Sequence, residues 1–499
     1  MRGSPIPYTG YILAVTSTSL IASGVYGLVL WANGAESELE PARIMLEYGI
    51  LYLMLGVTIA MLPKASLKPA TAISITVTAW VAIPILASIP FSLAAGIPLI
   101  DGLFESVSGW TTTGLTILSG EPSSAGGIYV PRVEELPRTL QVWRSVMQWE
   151  GGLGIVVFTI GILAQPGISA AALYLAEGRQ EKIEASVRAT AARMLLIYLI
   201  LTGFSILLFL GAGMTLYDAV NHALTGIATA GFSTHSESLG YYADKPAVLT
   251  AAMLVMFLGA VNFRDHYAVL RLRFRYLSGS VETKAQIVIL VLASSAAIFL
   301  WTRDPIMRSE FTPLQMVFHV VSSSATAGFQ AGNLGDANDA YKALLAMLAL
   351  IGGSAFSTAG GIKILRILIA LRSVAIESSL LLHPRGYRAG VRMGRYTVTA
   401  ELVRRVIAVI TAMLAVYVIL VMMLSGLYPG LYSLADSAFE VASAMGNVGL
   451  SVGISAAAAP LGAKVILILA MLLGRLEVVA YIIALRHALR SLARSIGVS

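Results

Sequence analysis

The strongest constraint on this chain is a short glycine-containing segment that occurs four times. The copies, called here the glycine segments of repeats 1 to 4, are Thr112-Thr113-Gly114-Leu115, Thr229-Ala230-Gly231-Phe232, Thr326-Ala327-Gly328-Phe329 and Asn447-Val448-Gly449-Leu450. Their glycines are 117, 97 and 121 residues apart, which is too long a period for a solenoid. The spacing suits one membrane hairpin per repeat.

The similarity between the copies extends upstream of each glycine. Ten, nine and six residues before it stand Phe104, Glu105 and Ser108; Asn221, His222 and Thr225; Phe318, His319 and Ser322; and Phe439, Glu440 and Ser443. Because His222 and His319 share a slot with two glutamates, they are better suited to brace a helix than to bind a metal ion. Thirteen residues before the glycines stand Asp101, Asp218, Gln315 and Asp436. Aspartate can begin a helix by capping its free N–H groups.

Composition places these repeats in a membrane. The chain has 57% hydrophobic and 12% charged residues and a mean hydropathy of +0.80, and apolar runs of about 20 residues recur along it. It has no Cys, which excludes disulfides, thiolate metal sites and cysteine catalysis. Its six His lack metal-ligand spacing. The sequence therefore predicts a polytopic membrane protein.

Ten apolar stretches are long enough to cross a bilayer. They lie near residues 9–31, 46–63, 71–95, 139–164, 190–213, 246–270, 284–302, 340–373, 404–427 and 461–486. Four shorter segments begin near Asp101, Tyr217, Thr312 and Leu431. These cannot span about 30 Å of hydrocarbon, so each is predicted to be a re-entrant pore helix that leads into a glycine segment.

The predicted fold is an all-α polytopic membrane protein with four tandem hairpins of helix, pore helix, filter and helix around one pore. Two additional N-terminal transmembrane helices occupy residues 1–70. The pore repeats are expected at 71–170, 171–275, 276–395, which includes an intramembrane gating loop, and 396–499.

Charge supports this topology, because cytoplasmic loops collect Lys and Arg. The loops at 264–284 and 366–405 carry Arg264, Arg271, Arg273, Arg275, Lys284, Arg366, Arg372, Arg385, Arg388, Arg392, Arg395, Arg404 and Arg405. An even number of crossings then leaves both termini cytoplasmic. The net charge of +7 reflects this bias rather than a nucleic-acid surface, although a basic patch for an acidic partner stays open.

The glycine segments have the residues that a K⁺ filter needs. A potassium ion leaves water only where backbone carbonyls replace its hydration shell, and glycine reaches positive φ without steric cost. Irregular backbone at membrane depth is tolerated where it lines a watery cavity. The predicted K⁺-binding residues are Thr112, Thr113, Gly114, Thr229, Ala230, Gly231, Thr326, Ala327, Gly328, Asn447, Val448 and Gly449.

The chain resembles the Trk/Ktr/HKT superfamily of potassium transporters over nearly its whole length. Motifs that carry the resemblance are Trp143-Arg144, Gln148-Trp149, Gly151-Gly152-Leu153-Gly154, Asn262-Phe263, His266-Tyr267, the run from Gly352 to Lys363, and Gly474-Arg475-Leu476-Glu477. The two extra N-terminal helices favour the TrkH branch over KtrB, although the run from Gly446 to Ser451 is partly similar to KtrB.

The resemblance implies a homodimer with one pore per subunit and passive or ion-coupled K⁺ uptake in the cell membrane. It also implies a cytosolic, nucleotide-binding partner of the TrkA/KtrA type. No phosphate-binding motif occurs in the chain, so a nucleotide would act through that partner. The chain itself is expected to bind no cofactor, and K⁺ is the transported ion. Gly114 keeps the family's potassium pattern.

The sequence favours a channel-like pore over two other function classes. A secondary transporter coupled to Na⁺ or H⁺ remains the alternative, although alternating access usually brings inverted repeats, and these four repeats share one orientation. An intramembrane enzyme needs paired Asp or a Ser/His arrangement within the spans, and the sequence has neither. No enzymatic activity is predicted.

The run from Gly352 to Gly361 is predicted to interrupt a helix, because each glycine costs about 1 kcal/mol there relative to Ala. A loop just inside the filter is expected, and the resemblance implies a gating role. Arg475 would place a positive charge near it. The predicted gating residues are Gly352, Gly353, Ser354, Ser357, Thr358, Gly360, Gly361, Lys363 and Arg475. The alternative is a glycine-rich helix crossing.

Glu150 departs from the family motif. An ionisable group within a span is paired or functional by default. Its expected partner is Lys363 or Arg475, and the alternative is a carboxylate near a water-filled vestibule.

Overall fold

The structure is a computed structural model that describes residues 6–63, 69–155, 157, 186–277, 279–381, 391–393, 396–398 and 400–495. Helices dominate this part of the chain, and they form four hairpin repeats preceded by a helix pair. The predicted fold class is confirmed.

The N-terminal pair consists of Pro7–Ala32 and Leu39–Ala60. Small residues let the two helices approach closely: a Cβ on Gly56 would lie 2.6 Å from the Ala14 nitrogen. Such small-residue contacts are typical of helices packed in a membrane.

Each repeat contains a first helix, a pore helix and a second helix. The first helices are Pro69–Ala95, Val187–Gly211, Val281–Arg303 and Ala400–Gly426. The pore helices are Leu99–Trp110, Leu216–Ile227, Pro313–Ser324 and Leu434–Met445, each of 12 residues. A helix of this length spans about 18 Å, so it does not cross a bilayer. Every pore helix ends four residues before its glycine.

The pore helices of repeats 2, 3 and 4 are capped by hydroxyl residues, and in repeats 2 and 4 these take the place expected for Asp218 and Asp436. Thr215, Thr312 and Ser433 accept the N–H of the residue three positions later. Asp218 and Asp436 occupy that third position. The prediction of an Asp cap was wrong. The shorter hydroxyl side chain takes the cap position, and the carboxylate lies in the first turn, where its negative charge suits the positive end of the helix dipole.

The second helices are all interrupted. Arg138–Leu153 ends at Gly154, Pro246–Ala260 bends by 104° into Phe263–Leu270, Asp339–Ile351 ends at Gly352 before Ile364–Leu381, and Leu461–Ser495 is non-helical at Glu477. The break at Gly352 agrees with the glycine content. The predicted span at 461–486 agrees with a helix that is long and apolar enough to cross a membrane, and the predicted span at 246–270 corresponds to the bent pair. The sequence did not indicate the breaks at Asn262 and Glu477, because local propensity does not report the tertiary contacts that hold these residues out of the helix.

The described chain also contains short elements, among them the 3-10 helices Glu36–Glu38, Val133–Glu135, Ser238–Tyr242 and Leu334–Asp336. Strand Ser119–Pro122 pairs antiparallel with Tyr129–Arg132, and Val391–Met393 pairs with Tyr396–Val398. Two short helices are Phe274–Leu277 and Pro305–Glu310.

Among the described residues, seven helices are long and apolar enough to span a membrane, and the bent pair is an eighth candidate. The predicted spans 139–164 and 340–373 are the remaining two of ten. Some predictions fall outside the described residues. They are the end of the predicted span 139–164, the predicted boundary between repeats 1 and 2 at residues 170 and 171, and Arg385, Arg388 and Arg395.

Candidate ion filter and gate

The four glycine segments meet in a closed cycle. A Cβ on Gly114 would overlap the Ala230 carbonyl oxygen, and the same relation joins Gly231 to Ala327, Gly328 to Val448 and Gly449 to Thr113. Each glycine thus lies against the carbonyl that precedes the glycine of the next repeat. The last repeat returns to the first, so residues far apart in sequence surround one axis.

The backbone of the segments is unusual in the same way in all four repeats. The residue two before each glycine has φ between 51° and 56° (Thr112, Thr229, Thr326 and Asn447), and the glycines have φ between 73° and 102°. Positive φ is a steric outlier for β-branched Thr. Three such Thr residues, with Asn447 in the same conformation at the fourth position, indicate a strained backbone that the surrounding structure holds in place.

The residue directly before each glycine is held by the pore helix of its own repeat. The amides of Thr113, Ala230, Ala327 and Val448 each donate to the carbonyl five residues earlier, at 2.8–3.0 Å. These N–H groups are therefore directed toward the pore helices. Because the N–H groups point that way, the carbonyl groups of the segments can face the axis. The helix C-termini, which carry partial negative charge, also end here.

The slot nine residues before each glycine anchors the chain that follows the segment. Glu105 accepts the Ile117 amide at 2.8 Å, His319 the Ala331 amide at 2.9 Å, and Glu440 the Val452 amide at 3.0 Å. His222 Nε2 lies 2.9 Å from the Ser233 hydroxyl. The predicted bracing role of both histidines agrees with these contacts. Within the described chain, no cluster of three His, Cys, Asp or Glu side chains could hold a metal ion.

The glycine-rich loop, residues 352–363, lies directly beneath three of the glycine segments. Thr358 donates to the Gly259 carbonyl at 2.8 Å and lies 3.2 Å from the Thr229 hydroxyl. The Gly360 amide donates to Thr326 Oγ1 at 2.7 Å, and a Cβ on Gly360 would lie 3.1 Å from that of Asn447. The loop therefore contacts repeats 2, 3 and 4.

Arg475 contacts the glycine segment of repeat 1. Its guanidinium donates to Thr112 Oγ1 at 2.8 Å and to the Gly151 carbonyl, and it lies 5.0 Å from the Trp80 ring centroid. Lys363 donates to the Ala359 carbonyl within the loop. The two predicted cations thus lie at different places. In these contacts Arg475 donates to a glycine segment, whereas Lys363 donates to the loop itself.

One carboxylate holds the loop, and a second holds the helix that follows it. Glu282 accepts the Ala355 amide at 2.7 Å and the Asn262 side chain at 3.0 Å. Glu477, at the break in the second helix of repeat 4, pairs with Arg366 at 2.6 Å. Both contacts connect the loop region to interruptions in second helices.

Glu150 does not have the predicted partner. Its side chain is 1% exposed and accepts a hydrogen bond from Ser19 on the first N-terminal helix. The other carboxylate oxygen is buried without a hydrogen-bond partner among the described residues. The expectation of Lys363 or Arg475 was wrong, because Glu150 lies on the face of its helix that packs against the N-terminal pair.

Outside the membrane, Glu134 joins the loops that follow the first two glycine segments. It accepts the Ser236 amide at 2.5 Å and the Ser236 hydroxyl at 2.6 Å. Burial raises the pKa of Glu134, but the hydrogen bonds from Ser236 outweigh burial and leave the pKa below its usual value.

Three contacts around the glycine segments and the loop were not predicted from the sequence. Gln148 contacts the glycine segment of repeat 2, Glu282 contacts the loop, and Lys464 pairs with Asp101. A usable signal was present for Gln148, since Gln141, Arg144 and Gln148 recur at helical spacing in an apolar region. Nothing in the sequence indicated the partners of Glu282 and Lys464.

A sequence profile described as TrkH, cation transport protein, matches residues 49–302 and 309–493. The chain belongs to the TrkH family of cation transport proteins. Family membership confirms the resemblance and its TrkH branch, and TrkH proteins are transporters rather than enzymes. This chain is therefore a multi-pass membrane protein of a transporter family.

Individual relatives agree with this assignment. The Trk system potassium uptake protein TrkH of Vibrio parahaemolyticus is 32% identical over 432 residues, which are 85% of this chain and 86% of that protein. The crystal structure of the potassium transporter TrkH from Vibrio parahaemolyticus matches with a TM-score of 0.79 and 28% identity, and covers 96% of this chain and 97% of that one. An uncharacterized cation transporter of Methanocaldococcus jannaschii is 32% identical over 308 residues, 62% of this chain and 60% of that protein.

Proposed function

We propose that this TrkH-family chain takes up K⁺ across the cell membrane through a channel-like pore. The observation that carries the proposal is the closed cycle in which each segment glycine lies against a carbonyl of the next repeat. The names of the Vibrio parahaemolyticus relatives, which are potassium transporters, support the choice of ion.

The proposed filter consists of the four glycine segments. Their backbone carbonyls would replace the hydration shell of K⁺, and the negative ends of four pore helices would favour a cation at the same place. The Gly-to-carbonyl contacts leave no room for a Cβ, which explains why glycine occupies all four positions. K⁺ is the transported ion in this scheme.

The proposed gate is the glycine-rich loop together with Arg475. The loop touches Thr229 and Thr326 at the base of the filter, and Arg475 touches Thr112. A positive charge at this place opposes cation entry while the loop is in position. Movement of the loop would open the path.

The proposed assembly is a homodimer with a cytosolic nucleotide-binding partner on the basic face. The cationic loops at 264–284 and 366–405 support this orientation, with both termini cytoplasmic. The partner would act on the loop through Ile364–Leu381, the helix that follows it.

Flux through purified protein tests the function. In liposomes with a K⁺ gradient, a pore passes Rb⁺ tracer without a counter-substrate, whereas an ion-coupled transporter requires a Na⁺ or H⁺ gradient. Growth at low K⁺ of a bacterium that lacks its own K⁺ uptake systems, with and without a TrkA-like partner, gives a second readout. Absence of both flux and growth, from protein shown to reach the membrane, would contradict the proposal.

A further inference from the structure

We infer that Gln148 is a specificity-determining positioning residue for ion selection, acting on the glycine segment of repeat 2 from the second helix of repeat 1. This inference rests on the proposed filter. It concerns one side chain of repeat 1 that holds the glycine segment of repeat 2. It predicts that loss of this side chain changes the ion selectivity and not only the stability of the protein.

The Gln148 amide makes two hydrogen bonds that flank Gly231. Nε2 donates to the Ala230 carbonyl at 2.8 Å, and Oε1 accepts the Phe232 amide at 2.9 Å. The side chain is fully buried. Its orientation follows from chemistry, since only the NH₂ group can donate to a carbonyl and only the oxygen can accept from an amide.

In repeat 2 the pore helix holds the Ala230 amide through the Thr225 carbonyl, but the side chain six residues before the glycine does not bond to the segment. The same is true of Ser108 in repeat 1, whose hydroxyl has no hydrogen-bond partner among the described residues. In repeat 3, the Ser322 hydroxyl donates to the Phe329 carbonyl at 2.8 Å, and in repeat 4, Ser443 Oγ accepts the Gly449 amide at 3.0 Å. The equivalent residue in repeat 2 is Thr225, whose hydroxyl donates instead to the Asn221 carbonyl one turn earlier, at 3.2 Å. A threonine in a helix commonly adopts the rotamer that makes this bond.

The rest of the same helix face holds repeat 2 as well. Arg144 donates to the Ser233 carbonyl at 3.1 Å, Ser145 donates to Asn221 Oδ1 at 2.7 Å, and Gln141 Oε1 accepts the Tyr217 hydroxyl at 2.9 Å. Residues spaced by three, four and seven share one helix face. All four side chains of this face are buried, so it forms a polar wedge between repeats 1 and 2.

The Ala230 carbonyl is both the oxygen that Gln148 holds and the oxygen against which Gly114 packs. A carbonyl oxygen has two lone pairs, so the bond to Gln148 sets its direction while one lone pair remains for an ion. Without that bond the carbonyl is free to move toward a smaller ion. Loss of Gln148 therefore admits Na⁺.

The test replaces Gln148 by methionine, which keeps the length of the side chain and removes both hydrogen bonds. The matched control is Gln286→Met. Gln286 is also fully buried, lies in the first helix of repeat 3, and its amide atoms have no hydrogen-bond partner among the described residues. Each purified variant is reconstituted in liposomes, and the Rb⁺ to Na⁺ flux ratio is measured together with the melting temperature.

We expect Gln148→Met to lower the flux ratio roughly fivefold or more, a factor that a hydrogen bond of ordinary strength represents, and Gln286→Met to keep it. A second variant adds Thr225→Ser to Gln148→Met. Serine lacks the methyl group and can adopt the conformation of Ser322, so the double variant should regain at least half of the lost ratio. A purely structural defect would not be restored in this way.

A wild-type flux ratio in folded Gln148→Met, or a loss equal to that of Gln286→Met, would overturn the inference. Failure of the double variant to regain selectivity would do the same. These outcomes differ from failure of the proposed function, in which the wild-type protein itself passes no Rb⁺ in preference to Na⁺.

Discussion

Lys464 and Asp101 form an ion pair across the closing interface of the cycle, with Nζ 2.5 Å from Oδ1 and neither side chain exposed. Lys464 lies in the second helix of repeat 4, and Asp101 lies in the first turn of the pore helix of repeat 1. Ser123 donates to the other carboxylate oxygen at 2.5 Å. Because repeats 4 and 1 are not consecutive in the chain, the cycle closes through non-local contacts, among them this ion pair and the hydrogen bond from the Ser124 amide to the Ala457 carbonyl at 3.1 Å.

Breaking this pair should destabilise the protein strongly. Lys464→Met leaves a buried carboxylate without its cation, at a cost of about 3–5 kcal/mol. Thermal unfolding in detergent measures the loss. The control Arg43→Ala removes an exposed pair with Glu40, whose side chains are 60% and 64% exposed, and should change stability by no more than about 0.5 kcal/mol. Equal stability of Lys464→Met and wild type would show that the cycle closes by other means.

Substitution of any segment glycine by serine should lower Rb⁺ flux or admit Na⁺. At Gly114, Gly231, Gly328 and Gly449 a Cβ overlaps a carbonyl of the neighbouring repeat, and φ is positive at each. The carbonyl must therefore move off its position. Liposome flux of Rb⁺ and Na⁺ measures the effect.

Gly203→Ser is the matched control for this series. Gly203 lies in a first helix, and its Cβ would meet no atom within 4 Å, so transport should stay at the wild-type level. If Gly231→Ser and Gly328→Ser discriminate between Rb⁺ and Na⁺ as the wild type does, the filter assignment fails for repeats 2 and 3.

Deletion of residues 354–358 should raise ion flux and weaken control by the cytosolic partner. The deletion removes Thr358 and its contacts with repeat 2. Arg475→Ala should act in the same direction, because it removes a cation beside Thr112. Selectivity should be largely kept, since the glycine segments are unchanged. Wild-type flux with full partner control in both variants would remove the loop and Arg475 from the mechanism.

Glu282→Ala should loosen the loop without altering its sequence. The variant leaves the Ala355 amide without the carboxylate that it contacts at 2.7 Å, so the loop is less firmly held. Flux should rise roughly tenfold or more, the factor that corresponds to a charged hydrogen bond of about 1.5–3 kcal/mol. Glu36→Ala, at an exposed position, is the control. Flux unchanged in Glu282→Ala would limit this residue to a structural role.

Glu150→Leu should stabilise the protein by about 1–3 kcal/mol. It removes a buried carboxylate oxygen that lacks a partner among the described residues, and such a group carries a full desolvation penalty. Ser19→Ala should do the reverse, because it takes away the hydroxyl that Glu150 contacts. Melting temperatures of the two variants measure the opposite shifts. A lower melting temperature for Glu150→Leu would indicate a partner that compensates for burial.

The sequence by itself determined the repeats, the four pore helices, the four glycines and the break at Gly352. These features depend on local chemistry: segment length against bilayer thickness, glycine at positive φ, and the cost of glycine within a helix. The repeat also exposed the slot shared by Glu105, His222, His319 and Glu440. The filter and gating roles of the predicted residues stay predictions.

Only the tertiary structure decided which residues from different repeats meet. The contacts of Gln148 with Ala230, Lys464 with Asp101 and Ser19 with Glu150 join positions 82, 363 and 131 residues apart. No periodicity specifies such pairs, because each depends on how helices pack after they have formed. The bend before Phe263 and the non-helical Glu477 have the same origin: buried or half-buried polar groups take the partners that packing brings within reach, and the backbone follows them.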